Sequence, residues 1–153
     1  MITLTRGTMQ DAERIWRMQR EAFAELVAKY KDFDTNPGSE PLSKVRQRLA
    51  HPETFFYLIE AAGEQVGAIR VVDSRDGSRK RISPLFILPE HQGRGYAQQA
   101  IQAAEALHGA ADWALSTIAQ EAGNCYLYEK LGYRLTGRTQ VINERMTLVF
   151  YEK

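Results

Sequence analysis

At 153 residues and 44% hydrophobic, the chain is long enough for one compact domain with a real core, residues 1–153, and leaves no room for a second. Twenty Lys and Arg against 19 Asp and Glu give a formal net charge of +1, which excludes a bulk electrostatic drive toward nucleic acid or an anionic membrane. No apolar run can span a bilayer, the N-terminus lacks a secretion-signal pattern, and the one cysteine, Cys125, allows no internal disulfide, so the expectation is a soluble cytoplasmic protein.

Ile2 and Leu4 alternate with threonines in a short first strand. Thr8 and Asp11 form a capping box, and Ala12, Ile15, Trp16, Gln19, Phe23, Leu26, Val27 and Tyr30 then fall mostly on one helical face. The polar turn Lys31 to Gly38 follows, with Asp32, Phe33 and Asp34 as a candidate wall of an acceptor pocket. A shorter helix after Ser39 turns Leu42, Val45 and Leu49 inward and ends at His51-Pro52. Thr54 to Ala61 and Gln65 to Asp73 read as strands, with Phe56, Leu58, Val66, Ala68, Val71 and Val72 as core positions. Asp76-Gly77 marks a hairpin turn into the fourth strand, making an antiparallel meander, and Pro84 predicts a bulge within that strand.

The fourth strand ends in Leu85-Phe86-Ile87-Leu88-Pro89, a glycine turn follows, and Ala97, Ala100, Ile101, Ala104 and Leu107 repeat at helical spacing. Strand, glycine loop and helix in this order make a natural anion cradle, because the first helical turn has unpaired N–H groups and the peptide dipoles add positive potential. Gly93 and Gly95 let the backbone approach a phosphate, and Arg94 adds a charge beside it. The loop is neither the Gly-Lys-Ser/Thr type that holds nucleoside triphosphates nor the Gly-x-Gly-x-x-Gly type that holds dinucleotides. Beyond it, Ala111 to Ile118 form a strand, Gln120 to Leu131 a helix closed by Gly132, and Tyr133 to Val141 with Arg145 to Tyr151 a terminal hairpin turned at Ile142-Asn143-Glu144. The apolar strand Arg145 to Tyr151 is a candidate paired edge for a C2 homodimer.

Gln92-x-x-Gly95-x-Ala97 resembles the pyrophosphate loop of the GNAT family of acetyl-CoA-dependent N-acetyltransferases. Asn124-Cys125-Tyr126-Leu127-Tyr128-Glu129-Lys130-Leu131-Gly132-Tyr133 is similar to that family's tyrosine-bearing helix ending in Leu-Gly-aromatic, at the usual distance beyond the loop. The resemblance implies a single α/β domain. Its mixed, mostly antiparallel central sheet would have about seven strands flanked by about four helices, with strands four and five splayed. It implies that acetyl-CoA is the acetyl donor. Gln92, Gly93, Arg94, Gly95, Tyr96 and Ala97 would hold its pyrophosphate, Leu85, Phe86 and Ile87 would pair with the pantetheine arm, and Asn124 would bond the arm or the loop. The Leu85 amide would face the acetyl carbonyl and Tyr128 the thioester sulfur. In the family the asparagine often lies farther from the tyrosine, nearer the place Glu121 has here.

The implied chemistry is consistent with these side chains. A preorganised N–H donor stabilises the oxyanion that forms when an amine attacks the thioester. A phenol of ordinary pKa ~10 is protonated at neutral pH and can supply the proton that a thiolate of pKa ~8.5 requires. Some family members carry a glutamate on the fourth strand as base, whereas Arg79 to Leu88 contain no carboxylate here; water relays, Asp73, Asp32 and Asp34 are the substitutes. The reading is direct acetyl transfer to a primary amine of a small molecule or peptide, with a non-catalytic acyl-CoA sensor as the alternative. His51, His91 and His108 lie in separate elements without ligand spacing, predicting surface or capping roles and no metal site. Arg75, Arg79, Lys80 and Arg81 read as a solvated hairpin end, and nothing interleaves basic and aromatic residues as nucleic-acid binding requires.

Overall fold

A computed structural model describes residues 1–153. Strand β1 (Ile2–Arg6) is antiparallel to β2 (Thr54–Ala61), β2 to β3 (Glu64–Val72), and β3 to β4 (Lys80–Ile87), which gives the expected meander. Strand β4 then runs parallel to β5 (Trp113–Ile118). The final hairpin, β6 (Arg134–Asn143) and β7 (Met146–Glu152), folds back so that β7 lies between β5 and β6, completing a seven-stranded mixed sheet in the order β1-β2-β3-β4-β5-β7-β6.

Helices cover both faces. The Thr8 N–H donates to the Asp11 carboxylate at 2.8 Å, and after one 3-10 turn helix α1 (Ala12–Tyr30) begins. It ends where Lys31 turns left-handed at φ 56° and donates its N–H to Val27 O. Ala12, Ile15 and Met18 of α1 and Val45 of α2 (Leu42–Ala50) pack on Phe56, Leu58, Ala68 and Phe86. On the opposite face, Ala100, Ile101 and Ala104 of α3 (Tyr96–His108) and the inner side of α4 (Ala122–Lys130) meet Tyr57, Ile59, Ile69, Ile82 and Trp113.

Strand β2 is buried on both sides, so Phe55, Tyr57 and Ile59 join Phe56 and Leu58 in the core. A continuous apolar run marks a strand covered by helices on both faces. Val72, expected in the core, is only half-buried because β3 ends there. The bulge expected at Pro84 is present: the β3–β4 register shifts between Ile69 and Val71, so that Arg70 faces Ser83 and Pro84 together.

Two expectations are corrected. The strand beginning near Arg145 is no edge, since β7 is hydrogen-bonded to β5 on one side and β6 on the other; its apolar composition reflects that interior place. The outer edge is β6, whose residues from Arg134 to Val141 are all exposed and mostly polar, a composition that discourages pairing with another chain. His108 is not a surface residue either. Its side chain is 4% exposed, with Nδ1 2.8 Å from Asp73 Oδ2 and Nε2 2.8 Å from the Tyr57 hydroxyl. Asp73 is thereby committed on the α3 side of the sheet.

Candidate active site

Strands β4 and β5 share only the pairs Lys80↔Trp113 and Arg81↔Ala114 before they diverge. Past that point β4 is paired on its β3 side alone. The Leu88 N–H donates to Val66 O, and strict alternation along an antiparallel ladder then turns the N–H and C=O of Leu85 and Ile87 away from β3, into the gap. The Gln92 side chain uses one of these groups, donating from Nε2 to Ile87 O at 3.0 Å and tying the glycine loop to the end of the strand.

The loop has the conformation of an anion cradle. Gly93 and Gly95 have φ of 77° and 79°, and a Cβ at Gly93 would meet nothing within 4 Å. Glycine is required there by backbone conformation, since crowding is absent. The N–H groups of residues 93–98 find no backbone acceptor, the first helical bond being Gln99 N–H to Gly95 O, and they open at the start of α3 beside Tyr96 and Ala97. Arg94, between the two glycines, is exposed.

The gap widens into a cleft of about 480 Å³ lined by Leu85, Phe86, Ile87, Gln92, Ala97, Asn124, Leu127 and Tyr128, with Phe23, Leu26 and Lys29 of α1 opposite. A second cavity of about 180 Å³ opens from it between the Asp32–Pro37 turn, the bulge of β4, β5 and β7. Leu85, Asn124 and Tyr128 border both, so three of the residues singled out in the sequence stand where the two cavities join. Asn124 and Tyr128 are one turn apart on α4 and face the same way.

Three tyrosines cluster behind this junction, with the ring of Tyr128 6.2 Å from Tyr133 and 6.0 Å from Tyr151. The hydroxyl of Tyr133 donates to Glu105 and that of Tyr151 to Glu129. Tyr128 alone has no hydrogen-bond partner, and burial, with a smaller contribution from Cys125, pushes its phenol up to about 12. Its side chain lines both cavities where they join.

Of the turn residues, Asp32 lines the smaller cavity, whereas Phe33 and Asp34 are exposed and lie outside it. Glu121, at the start of α4, lines the larger cleft, accepting from Lys29 Nζ at 2.8 Å and from the Tyr30 hydroxyl. Burial raises its carboxyl, but those two donors outweigh it and hold the group below its usual range. Sequence spacing had placed Glu121 near the site without revealing that α1 supplies its partners.

Residues 24–153 match the family described as Acetyltransferase (GNAT) domain. An acetyltransferase of Photorhabdus laumondii is 29% identical over 143 residues, covering 91% of this chain and 97% of its own, and one of Sodalis glossinidius is 26% identical, covering 87% and 94%. Among solved structures, the ribosomal-protein-S18-alanine N-acetyltransferase of Escherichia coli superposes with a TM-score of 0.78 at 14% identity, over 99% of this chain and 92% of that one. The spermidine N-acetyltransferase of Vibrio cholerae in complex with CoA and spermine gives 0.76 at 18%, over 98% and 93%. At such identities these structures speak for the fold.

Proposed function

The chain belongs to the GNAT acetyltransferase family, and from that premise we propose that it transfers the acetyl group of acetyl-CoA to a primary amine held in the smaller cavity, by direct attack. The observation that carries the reading is the junction: one unpartnered phenol, one unpaired strand edge and a glycine cradle share a single continuous cleft.

The residues present fit the donor. The strand edge at Leu85 and Ile87 offers backbone partners to an extended amide-bearing arm, as a missing strand would. The free N–H groups of residues 93–98 suit a pyrophosphate, with Arg94 between the two glycines and Gln92 holding the loop in place. Asn124 is within the cleft to bond the arm. When bound, acetyl-CoA supplies an acyl carbon activated as a thioester, whose carbon–sulfur bond breaks as the amine nitrogen bonds to that carbon.

The remaining work falls to this chain. The inward N–H of Leu85 is placed to stabilise negative charge on the acyl oxygen. The Tyr128 hydroxyl donates a proton to the departing thiolate, for which its raised pKa keeps it loaded. Strand β4 carries no carboxylate, so the amine gives up its proton to water.

Calorimetric titration with acetyl-CoA, beside a Gly95→Glu variant, tests the donor site: saturable binding is expected for the wild type and none for the folded variant. Thiol release over a panel of amines then tests transfer. Tight binding with no turnover on any amine would instead mark an acyl-CoA sensor.

A further inference from the structure

The smaller cavity carries information about what enters it. Its lining is mixed, with apolar side chains from Phe23 and Leu26 of α1, Ile82 of β4, Ile118 of β5, and Met146 and Leu148 of β7. At about 180 Å³ it falls below the span of roughly 300–1,000 Å³ that holds drug-sized ligands. Neutral polar groups stand among them, from Thr35, Asn36, Ser83, Ser116, Thr117 and Asn124, with Tyr128 at the mouth.

The charge inventory is one-sided. Among the 17 lining residues there is no Lys, Arg or His, and Asp32 is the one carboxylate. Asp32 is 3% exposed; its oxygens accept from the N–H groups of Asp34 and Thr35 and from the Thr35 hydroxyl, and no cation pairs with it. Two cations stand nearby without entering. Lys29 is bound to Glu121 in the adjacent cleft, and Arg70 reaches only the main-chain carbonyl of Ser83, from outside the lining. A buried carboxylate without a counter-ion favours an incoming ammonium, and it opposes any second anion brought in beside it. One carboxylate also answers one ammonium, so a polyamine would bury its further charges without a counter-ion.

We propose that the acceptor is a compact monoamine with an apolar body and no acid group, of the arylalkyl- or branched alkylamine class; this rests on the transfer reading above. Asp32 draws the ammonium in and the α1, β5 and β7 side chains bury its body. The pocket thus selects against amino acids by charge and against polyamines by lack of further carboxylates.

The test is a matched comparison of thiol release from acetyl-CoA with 2-phenylethylamine, phenylalanine, spermidine, and a peptide beginning with phenylalanine. The kcat/KM for 2-phenylethylamine should exceed those for phenylalanine and spermidine by about 100-fold, since an unpaired buried charge is strongly disfavoured, and should exceed that for the peptide because its chain outgrows a cavity of about 180 Å³. Turnover that favours phenylalanine, spermidine or the peptide, or does not distinguish them, overturns this inference while leaving transfer intact. Absence of turnover with every amine, despite acetyl-CoA binding, overturns the transfer reading and this inference with it. Leu148→Arg, which places a cation in a wall that the larger cleft does not share, should shift the ratio toward phenylalanine at least about tenfold while acetyl-CoA still titrates. An unchanged ratio in that variant would remove the electrostatic basis. Asp32→Asn, which keeps an acceptor for the turn, should raise KM for 2-phenylethylamine and spare kcat; a KM equal to wild type would count against Asp32.

Discussion

Lys29 Nζ lies 2.8 Å from Glu121 Oε2, joining the last turn of α1 to the first residue before α4 across the cleft between them. The ammonium is exposed, so the pair by itself contributes little. The buried Tyr30 hydroxyl bound to the same carboxylate matters more. Glu121→Ala should therefore destabilise the fold by about 1–2 kcal/mol, because a buried donor loses its acceptor. Lys29→Ala should be much milder. Thermal denaturation of the two variants beside wild type checks the order.

Tyr128→Phe removes the one phenol of the three-tyrosine cluster that has no hydrogen bond to lose. Its kcat should fall by about 10²- to 10⁴-fold, the range of a lost general acid, with acetyl-CoA affinity and melting temperature unchanged. Steady-state kinetics and calorimetry measure these separately. By contrast, Tyr133→Phe breaks a buried bond to Glu105 and should lower stability.

The pH profile follows from the same residue. Because burial raises Tyr128 to about 12, its proton stays in place as pH rises through neutrality. Turnover should climb as the acceptor amine deprotonates and show no descending limb below about pH 11 from the acid group. A fall between pH 8 and 10 that survives in the absence of unfolding would assign the proton to another residue.

A second pH effect concerns stability. Burial raises the Asp73 carboxyl, but His108, the Arg75 N–H and the nearby Lys80 charge outweigh it, so its folded pKa lies below the ordinary value of 3.8. A depressed carboxyl stabilises the fold above its unfolded pKa and loses that contribution as pH falls through the folded one. Asp73→Asn should accordingly lower the melting temperature at pH 7, and the gap to wild type should close as pH drops below about 4. Melting curves across pH 3 to 7 measure it.

The sequence was most informative where period and turn chemistry agreed. The strand Thr54–Ala61 could be read to the residue, because a continuous apolar run is bounded by His51-Pro52 and Ala62-Gly63. The Gly93–Gly95 loop was legible because left-handed backbone leaves a compositional mark. Long-range pairing leaves none. Nothing local distinguishes Arg145–Tyr151 as an edge from the interior strand β7, and nothing near His108 announces Asp73, 35 positions earlier in the chain. The Asp32–Pro37 turn could be named as polar, but which of its carboxylates turns inward depended on the hydrogen bonds that Thr35 gives to Asp32.

The two-pair seam between β4 and β5 also has a mechanical side. The backbone joins the β1–β4 meander to the β5-β7-β6 blade only along Lys80–Arg81, and the rest of their union is side-chain packing, with Ile69 and Ile82 in one cluster with Trp113 and Tyr151. A ligand laid along the open edge of β4 would bridge the two halves of the sheet, so its stabilisation of the fold should exceed what contact with a single strand would give.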